Sequence, residues 1–271
     1  MDTPLHAEPL DVPAELALLS IDMEKYSQIP EARKAAARCD VDDIVATVLA
    51  ECRLPAPQGL PGGYKDNGDG AILLFPPAVL ARLVDPLLVR LNAALVRYEQ
   101  QRLASSPVLR LRAGVHVGPL SLPDHRGNAI DDTTRLLDSQ AARQALSAAK
   151  DSGAFLAVAL SEIVYQRTVH AGRTPDLRSH HFLEATARVS DKPDFEQPCR
   201  IHVPGLTGPA VRPYLTDAAS PTAAPSAPVQ PSSVPTAPAA GSGGTFQFHD
   251  QVNEPTIANI IETLRIERPR R

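Results

Sequence analysis

The sequence predicts an α+β fold in which helices pack on a mainly antiparallel sheet. Three observations point there. Apolar runs of strand length are bounded by turn residues, longer segments place apolar residues at helical spacing, and the two kinds alternate as βαββαβ followed by αβαββ.

Residues 16–22 (LALLSID) form a short apolar run ending in a carboxylate, the first strand. Residues 31–52 read as a helix, alanine-rich, with Ile44, Val45, Val48 and Leu49 on one stripe. Residues 62–76 (GGYKDNGDGAILLFP) read as a hairpin: Asn67-Gly68 signals the turn and AILLF a buried strand. A second helix spans 78–101, with Leu80, Leu83, Val84, Leu87, Leu88, Leu91 and Leu95 at helical spacing. Pro86 inside it predicts a kink or a break near Asp85. A strand follows at 108–117 (VLRLRAGVHV) and a single helix at 128–149, with Ile130, Thr134, Leu137 and Ala141 on one face. Then come a strand at 155–160, a short helix at 161–168, and two late strands near 181–189 and 199–203. The first six elements make a ferredoxin-like βαββαβ core, which the last five extend.

Composition sets the organisation of the chain. Of its 271 residues 27 are proline, about twice the usual share of roughly 5%. The densest run, from Thr216 to Gly244 (TDAASPTAAPSAPVQPSSVPTAPAAGSGG), has too few large apolar residues to offset its ordering entropy. The expected division is a flexible N-terminus at 1–13, a domain at 14–206, a Pro/Ala/Ser-rich tether at 207–244, and a tail at 245–271. In the tail Ile257, Ile260, Ile261 and Leu264 fall at i, i+3, i+4 and i+7, an amphipathic helix too short to stand alone and therefore expected to dock on its own domain, on a copy of itself or, favoured by the long tether, in the groove of a protein partner. Four arginines (Arg265, Arg268, Arg270, Arg271) close the chain.

Several function classes are disfavoured. A net charge of −4 argues against a strongly basic nucleic-acid surface, and 4% aromatics without tryptophan leave little for base stacking. The apolar runs fall short of the about 20 residues that span a bilayer. Residues 1–15 (MDTPLHAEPLDVPAE) lack a leader's apolar stretch, and Cys39, Cys52 and Cys199 are odd in number and widely spaced, so a reduced, cytoplasmic protein is expected.

Two carboxylates stand at informative places. Asp22 ends the first strand, and Asp69 lies in the hairpin KDNGDG, which a βαββαβ core sets beside that strand. Two oxygen ligands plus substrate phosphates suit Mg²⁺. Taken alone, GDG also reads as turn chemistry and Asp22 as a strand-end polar residue.

Four segments together resemble the class III nucleotidyl (adenylate/guanylate) cyclase catalytic domain. DMEKYS (22–27) is similar to the family's D-I-x-x-F-T/S, KDNGD (65–69) to K-x-x-G-D, LRAGVHVGP (111–119) to L-R-x-G-I-H-x-G-P, and DHRGNAIDDTTRL (124–136) to D-x-x-G-x-x-V-N-x-A-x-R-L. The resemblance implies that Asp22 and Asp69 hold two Mg²⁺ or Mn²⁺ ions on a nucleoside triphosphate. It implies phosphate contacts from the segment Lys25, Tyr26 and Ser27, where a helix begins, and from Lys192 in the last hairpin. Lys65 and Asp124 match the purine-reading pair, a donor and an acceptor that suit adenine. Arg135 matches the arginine that stabilises transition-state charge. The family's sites form between two subunits, which implies a homodimer or a heterodimer with a paralogue.

Bland readings stand beside these: Lys65 as a solvated lysine, Asp124 as a turn residue, Asp131–Arg135 as an i,i+4 ion pair, and His116 as a half-buried strand residue. One departure matters most. Asp131 stands where the family has its transition-state asparagine, and an ionised carboxylate accepts but cannot donate and repels a triphosphate. The segment between Pro119 and Asp124 is also shorter than the arm of many cyclases. Two functions therefore remain open: a cyclase making a 3′,5′-cyclic nucleotide and pyrophosphate, with ATP favoured, or a weak or inactive nucleotide-binding module acting through its tail.

Overall fold

The computed structural model describes residues 11–216. The expected N-terminal segment up to residue 10, the tether from 217 and the tail at 245–271 lie outside the described residues.

Seven strands form one sheet: β1 (Glu15–Met23), β2 (Tyr64–Asp66), β3 (Gly70–Phe75), β4 (Leu111–Pro119), β5 (Leu156–Ser161), β6 (Phe182–Val189) and β7 (Lys192–His202). Their order is β2-β3-β1-β4-β5-β7-β6. Only β4 and β5 run parallel; the other pairs are antiparallel, so the fold is the α+β class read from the sequence.

Alternation along β1 sorts its side chains between two cores. Ala17, Leu19, Ile21 and Met23 face a cluster shared with α1 (Glu31–Glu51), α2 (Leu80–Val84) and α3 (Leu87–Gln101), through Val45, Val48, Leu83, Leu91 and Leu95. Leu16 and Leu18 face the opposite side, where Ile72, Leu74 and Leu120 meet Ala129 and Ile130 of α4 (Asn128–Asp138). Further along that face the alanines of α5 (Gln140–Asp151) sit on Ala157 and Ala159 of β5 and on β6 and β7. Close approach of α4 is allowed by Gly114, where a Cβ would lie 2.9 Å from the Thr133 carbonyl.

The break read near Asp85 is present: Asp85 is extended (φ −138°, ψ 114°), as proline at 86 requires of the residue before it, and it separates α2 from α3. Other expectations are corrected. The single helix expected at 128–149 is two. Ser139 leaves helical geometry, donates its hydroxyl to the Leu136 carbonyl (2.7 Å) and accepts from the Ala142 N–H (3.2 Å), ending α4 and capping α5. The helix at 161–168 is one turn, α6 (Glu162–Tyr165), that widens into a π-helical turn at Gln166–His170. Past residue 206 the chain stays packed. α7 (Gly208–Val211) and a 3₁₀ turn (Arg212–Tyr214) continue the packed chain, with Val211 and Leu215 buried and the Tyr214 hydroxyl donating to Asp151 (2.9 Å). Among the described residues no helix is long and apolar enough to cross a membrane.

The hairpin of β2 and β3 is pressed onto the end of β1. A Cβ at Gly70 would lie 1.8 Å from the Ile21 carbonyl oxygen and 2.7 Å from the Asp22 Cα. Gly68 has φ +85° but open space around it. Gly70→Ala should therefore cost about 3 kcal/mol, since backbone must move, and Gly68→Ala about 1 kcal/mol, a left-handed penalty alone. Urea unfolding of both variants checks this; equal losses would contradict the close approach.

Candidate functional site

Strand register sets three residues in a row at one end of the sheet: Gly70 on β3, Asp22 on β1 and Arg112 on β4. The Met23 N–H donates to the Asp69 carbonyl (3.0 Å), which ties the hairpin turn to β1 just past Asp22. The turn has its own brace, the Gly68 N–H donating to the Asp66 carboxylate (2.7 Å). Arg38 of α1 holds it from behind. Its nearly buried guanidinium donates to the Tyr64 hydroxyl (2.8 Å) and the Gly70 carbonyl (3.2 Å) while paired with Asp42.

These contacts bring Asp22, Lys25, Tyr26, Ser27 and Asp69 around one open cleft of about 390 Å³, together with Asn67 and Arg112. Lys25 adopts the left-handed region (φ 57°) and is followed by a 3₁₀ turn, Tyr26–Gln28. The α1 helix itself starts at Glu31, where its sequence pattern begins. The turn's own bonds run from the Gln28 N–H to the Lys25 carbonyl and from the Ile29 N–H to the Tyr26 carbonyl, so the N–H groups of Lys25, Tyr26 and Ser27 lie outside its ladder.

The electrostatic centre of the cleft is a buried ion pair. The Arg112 guanidinium donates through Nε to one Asp22 oxygen (3.1 Å) and through Nη2 to the other. Both side chains are 9% exposed. Burial pushes the Asp22 carboxyl up to about 6; Arg112 opposes the rise, and Asp69 and Asp138 add to it.

A second cleft, of about 210 Å³, lies along α4. Asp131 and Arg135, one helical turn apart, line it with Lys192 at the start of β7. Arg135 stacks over the Phe195 ring (5.1 Å to the centroid) and pairs with Asp132 (3.7 Å), so its ion-pair partner is the i−3 carboxylate and not Asp131. Asp138 also lines this cleft and stands 3.9 Å from Arg112, linking it to the first.

Lys65 and Asp124 line neither cleft. Lys65 is exposed on β2 opposite Ile72, and Asp124 is exposed and 3.6 Å from Arg126. The loop carrying Asp124 is nevertheless anchored near β2, through the His125 Nε2 bond to the Gly62 carbonyl (2.6 Å). His116 is buried on β4, more fully than the half-burial expected of it.

Among the described residues no group of three or more His, Cys, Asp or Glu side chains converges on one point. Two carboxylates at an open cleft fit a hard divalent ion that draws its remaining oxygens from water and phosphate. Sequence reasoning missed Arg112, Asp138 and Arg38. Arg112 lies in a run that also holds Arg110 and His116, so patterning alone does not single it out.

No protein-family model matches the sequence, and neither does any curated protein. Among solved structures, the guanylyl cyclase Cya2 is similar at 15% identity and TM-score 0.45, over 76% of this chain and 98% of that one. The guanylate cyclase domain of RhGC from Catenaria anguillulae in complex with GTP is similar at 12% identity and TM-score 0.44, over 71% and 98%. A bacterial light-regulated adenylyl cyclase is similar at 12% identity and TM-score 0.47, over 78% and 59%.

A pH dependence follows from Asp22. Its folded carboxyl binds a proton more tightly than the unfolded one, whose ordinary value is 3.8. Its contribution to stability is full below pH 3.8 and is lost as pH rises through about 6. Between pH 4 and 7 the protein should lose about 2 kcal/mol relative to Asp22→Asn. Urea unfolding of both across that range checks it, and parallel profiles would contradict it.

Proposed function

We propose that this chain is a nucleotidyl cyclase domain that converts a nucleoside triphosphate, ATP in preference, to its 3′,5′-cyclic nucleotide and pyrophosphate. The observation that carries the reading is the meeting of Asp22 and Asp69 in one open cleft beside the turn of Lys25, Tyr26 and Ser27. It is joined by the resemblance of the four sequence segments.

In this reading Asp22 and Asp69 hold two Mg²⁺ or Mn²⁺ ions. When bound, such ions acidify a hydroxyl and neutralise charge on a phosphoryl group. The exposed Lys25 and the N–H groups of Lys25, Tyr26 and Ser27 receive phosphate oxygens. Lys65 donates to the base and Asp124 accepts from it. The ribose 3′-oxygen bonds to the α-phosphorus, the bond to the β-phosphate breaks, and pyrophosphate and a proton leave. Arg135, steadied by the Phe195 ring, and Lys192 meet the charge that develops on the phosphates.

The carboxylate pair and the Arg135–Lys192 pair line different clefts, which supports an assembly in which two chains complete each site. The second chain is a copy of this one or a paralogue.

Asp131 favours a second reading, a nucleotide-binding module of low turnover that acts through a protein partner of the tail 245–271. The second cleft sets Asp131, Asp138 and Asp191 against Arg135, Arg143 and Lys192, so its cations are matched one for one by carboxylates. A triphosphate there meets little net attraction.

Incubation of the purified chain with Mn²⁺ and each of ATP, GTP, CTP and UTP, followed by mass spectrometry, separates the readings. Cyclic AMP is the expected product, absent in Asp69→Ala and formed roughly tenfold faster by Asp131→Asn, which restores a donor. No cyclic product from any nucleotide, alone or with a candidate paralogue, overturns the cyclase reading. The module reading then requires that removing 245–271 abolish a pull-down interaction and leave nucleotide binding intact.

A further inference from the structure

Arg112 occupies both oxygens of the carboxylate proposed to receive a divalent ion. The guanidinium is nearly buried at the wall of the cleft, so little of its charge is shared with water. Its third nitrogen, Nη1, is buried with no hydrogen-bond partner, so it carries an unused donor. Among the described residues one other carboxylate lies within 4.0 Å of it: Asp138, at 3.9 Å from Nη2. Asp138 is itself braced. Arg143 donates to its carboxylate (3.1 Å) and to its backbone carbonyl (3.0 Å).

We infer that Arg112 is a built-in counter-ion for Asp22, displaced onto Asp138 when a divalent cation enters the cleft. The inference rests on the proposed ion site at Asp22 and Asp69. A divalent cation and a guanidinium on one carboxylate repel each other strongly where water is scarce. A guanidinium that leaves one buried partner needs another, because an unpaired buried charge is costly. Asp138 meets that need within a short side-chain movement, and its two bonds to Arg143 hold it in place to do so. The Arg112–Asp22 contact therefore competes with a cation for Asp22, and Asp138 is the positioning residue that lets the guanidinium give way. Asp138 stands one turn beyond Arg135 on α4, so arrival of the ion in the first cleft also changes the charge balance of the second.

The test is Mn²⁺ binding to the full chain without nucleotide, by calorimetry and by electron paramagnetic resonance. Arg112→Gln, which removes the competitor, should bind Mn²⁺ about tenfold more tightly than the wild type. Asp138→Asn, which removes the acceptor, should bind about tenfold more weakly. A simple field effect would give these directions too, so the double variant decides. In the Arg112→Gln background Asp138→Asn should change affinity by no more than about twofold, since there is no guanidinium left to receive. Asp138 is partly exposed, so its variant remains informative if Arg112→Gln is unstable: unchanged Mn²⁺ affinity in Asp138→Asn overturns the exchange. Equal or weaker binding by Arg112→Gln, or the same loss from Asp138→Asn in both backgrounds, also overturns the exchange alone. Absence of Mn²⁺ binding in every variant, Arg112→Gln included, overturns the ion site and with it the exchange.

Discussion

The row Gly70–Asp22–Arg112, running across three hydrogen-bonded strands, is the constraint on which the candidate site depends. β1 is paired on both edges, so the end of that strand cannot shift without breaking two ladders. On one side the missing side chain of Gly70 lets the hairpin turn sit against Ile21 and Asp22, which delivers Asp69. On the other side Arg112 faces Asp22 across the ladder and compensates its charge. Arg38 secures the same turn from α1. Each contact is local, but together they convert a hairpin and a strand end into a cleft with two carboxylates.

A buried ion pair is a weak source of stability, because removing two charges from water costs about as much as their attraction returns. Apolar residues at 22 and 112 would give an ordinary sheet interior. The pair instead leaves one guanidinium nitrogen, Nη1, buried without a hydrogen-bond partner, and the guanidinium stands 3.9 Å, through Nη2, from Asp138, whose carboxylate is already paired with Arg143. The rest of the core supplies the stability: Leu18, Leu19, Leu83, Leu88 and Leu95 are fully buried on the two faces of the sheet and the helices against it.

Much of this was legible in the sequence where the signal is local. Pro86 marked a helix end because it restricts the residue before it, and Asn67-Gly68 marked the hairpin. The meeting of Asp22 with Asp69 followed from strand order in a βαββαβ core. Other features depend on tertiary contacts. Ser139 sits in an apolar stripe that continues through it, so the break between α4 and α5 has no periodicity signature; only its two hydrogen bonds reveal it. Residues 207–216 look like linker because proline and glycine punctuate them, yet Pro209 lies in the first turn of a short helix, where its missing N–H is harmless. The bland alternative for Arg135, an ion pair with Asp131 at i−4, is not formed; Arg135 pairs with Asp132 at i−3 and lies over the Phe195 ring. Arg112 required the cross-strand register, which apolar patterning does not supply.

The proposed function stands on Asp22 and Asp69 together holding a divalent ion on a nucleoside triphosphate. Anomalous diffraction from crystals grown with Mn²⁺ and a non-cyclisable ATP analogue tests it most directly. An anomalous peak is expected within coordination distance of both carboxylates and of the triphosphate oxygens. A nucleotide bound elsewhere, or no peak at these carboxylates with Arg112 still paired to Asp22, would contradict it.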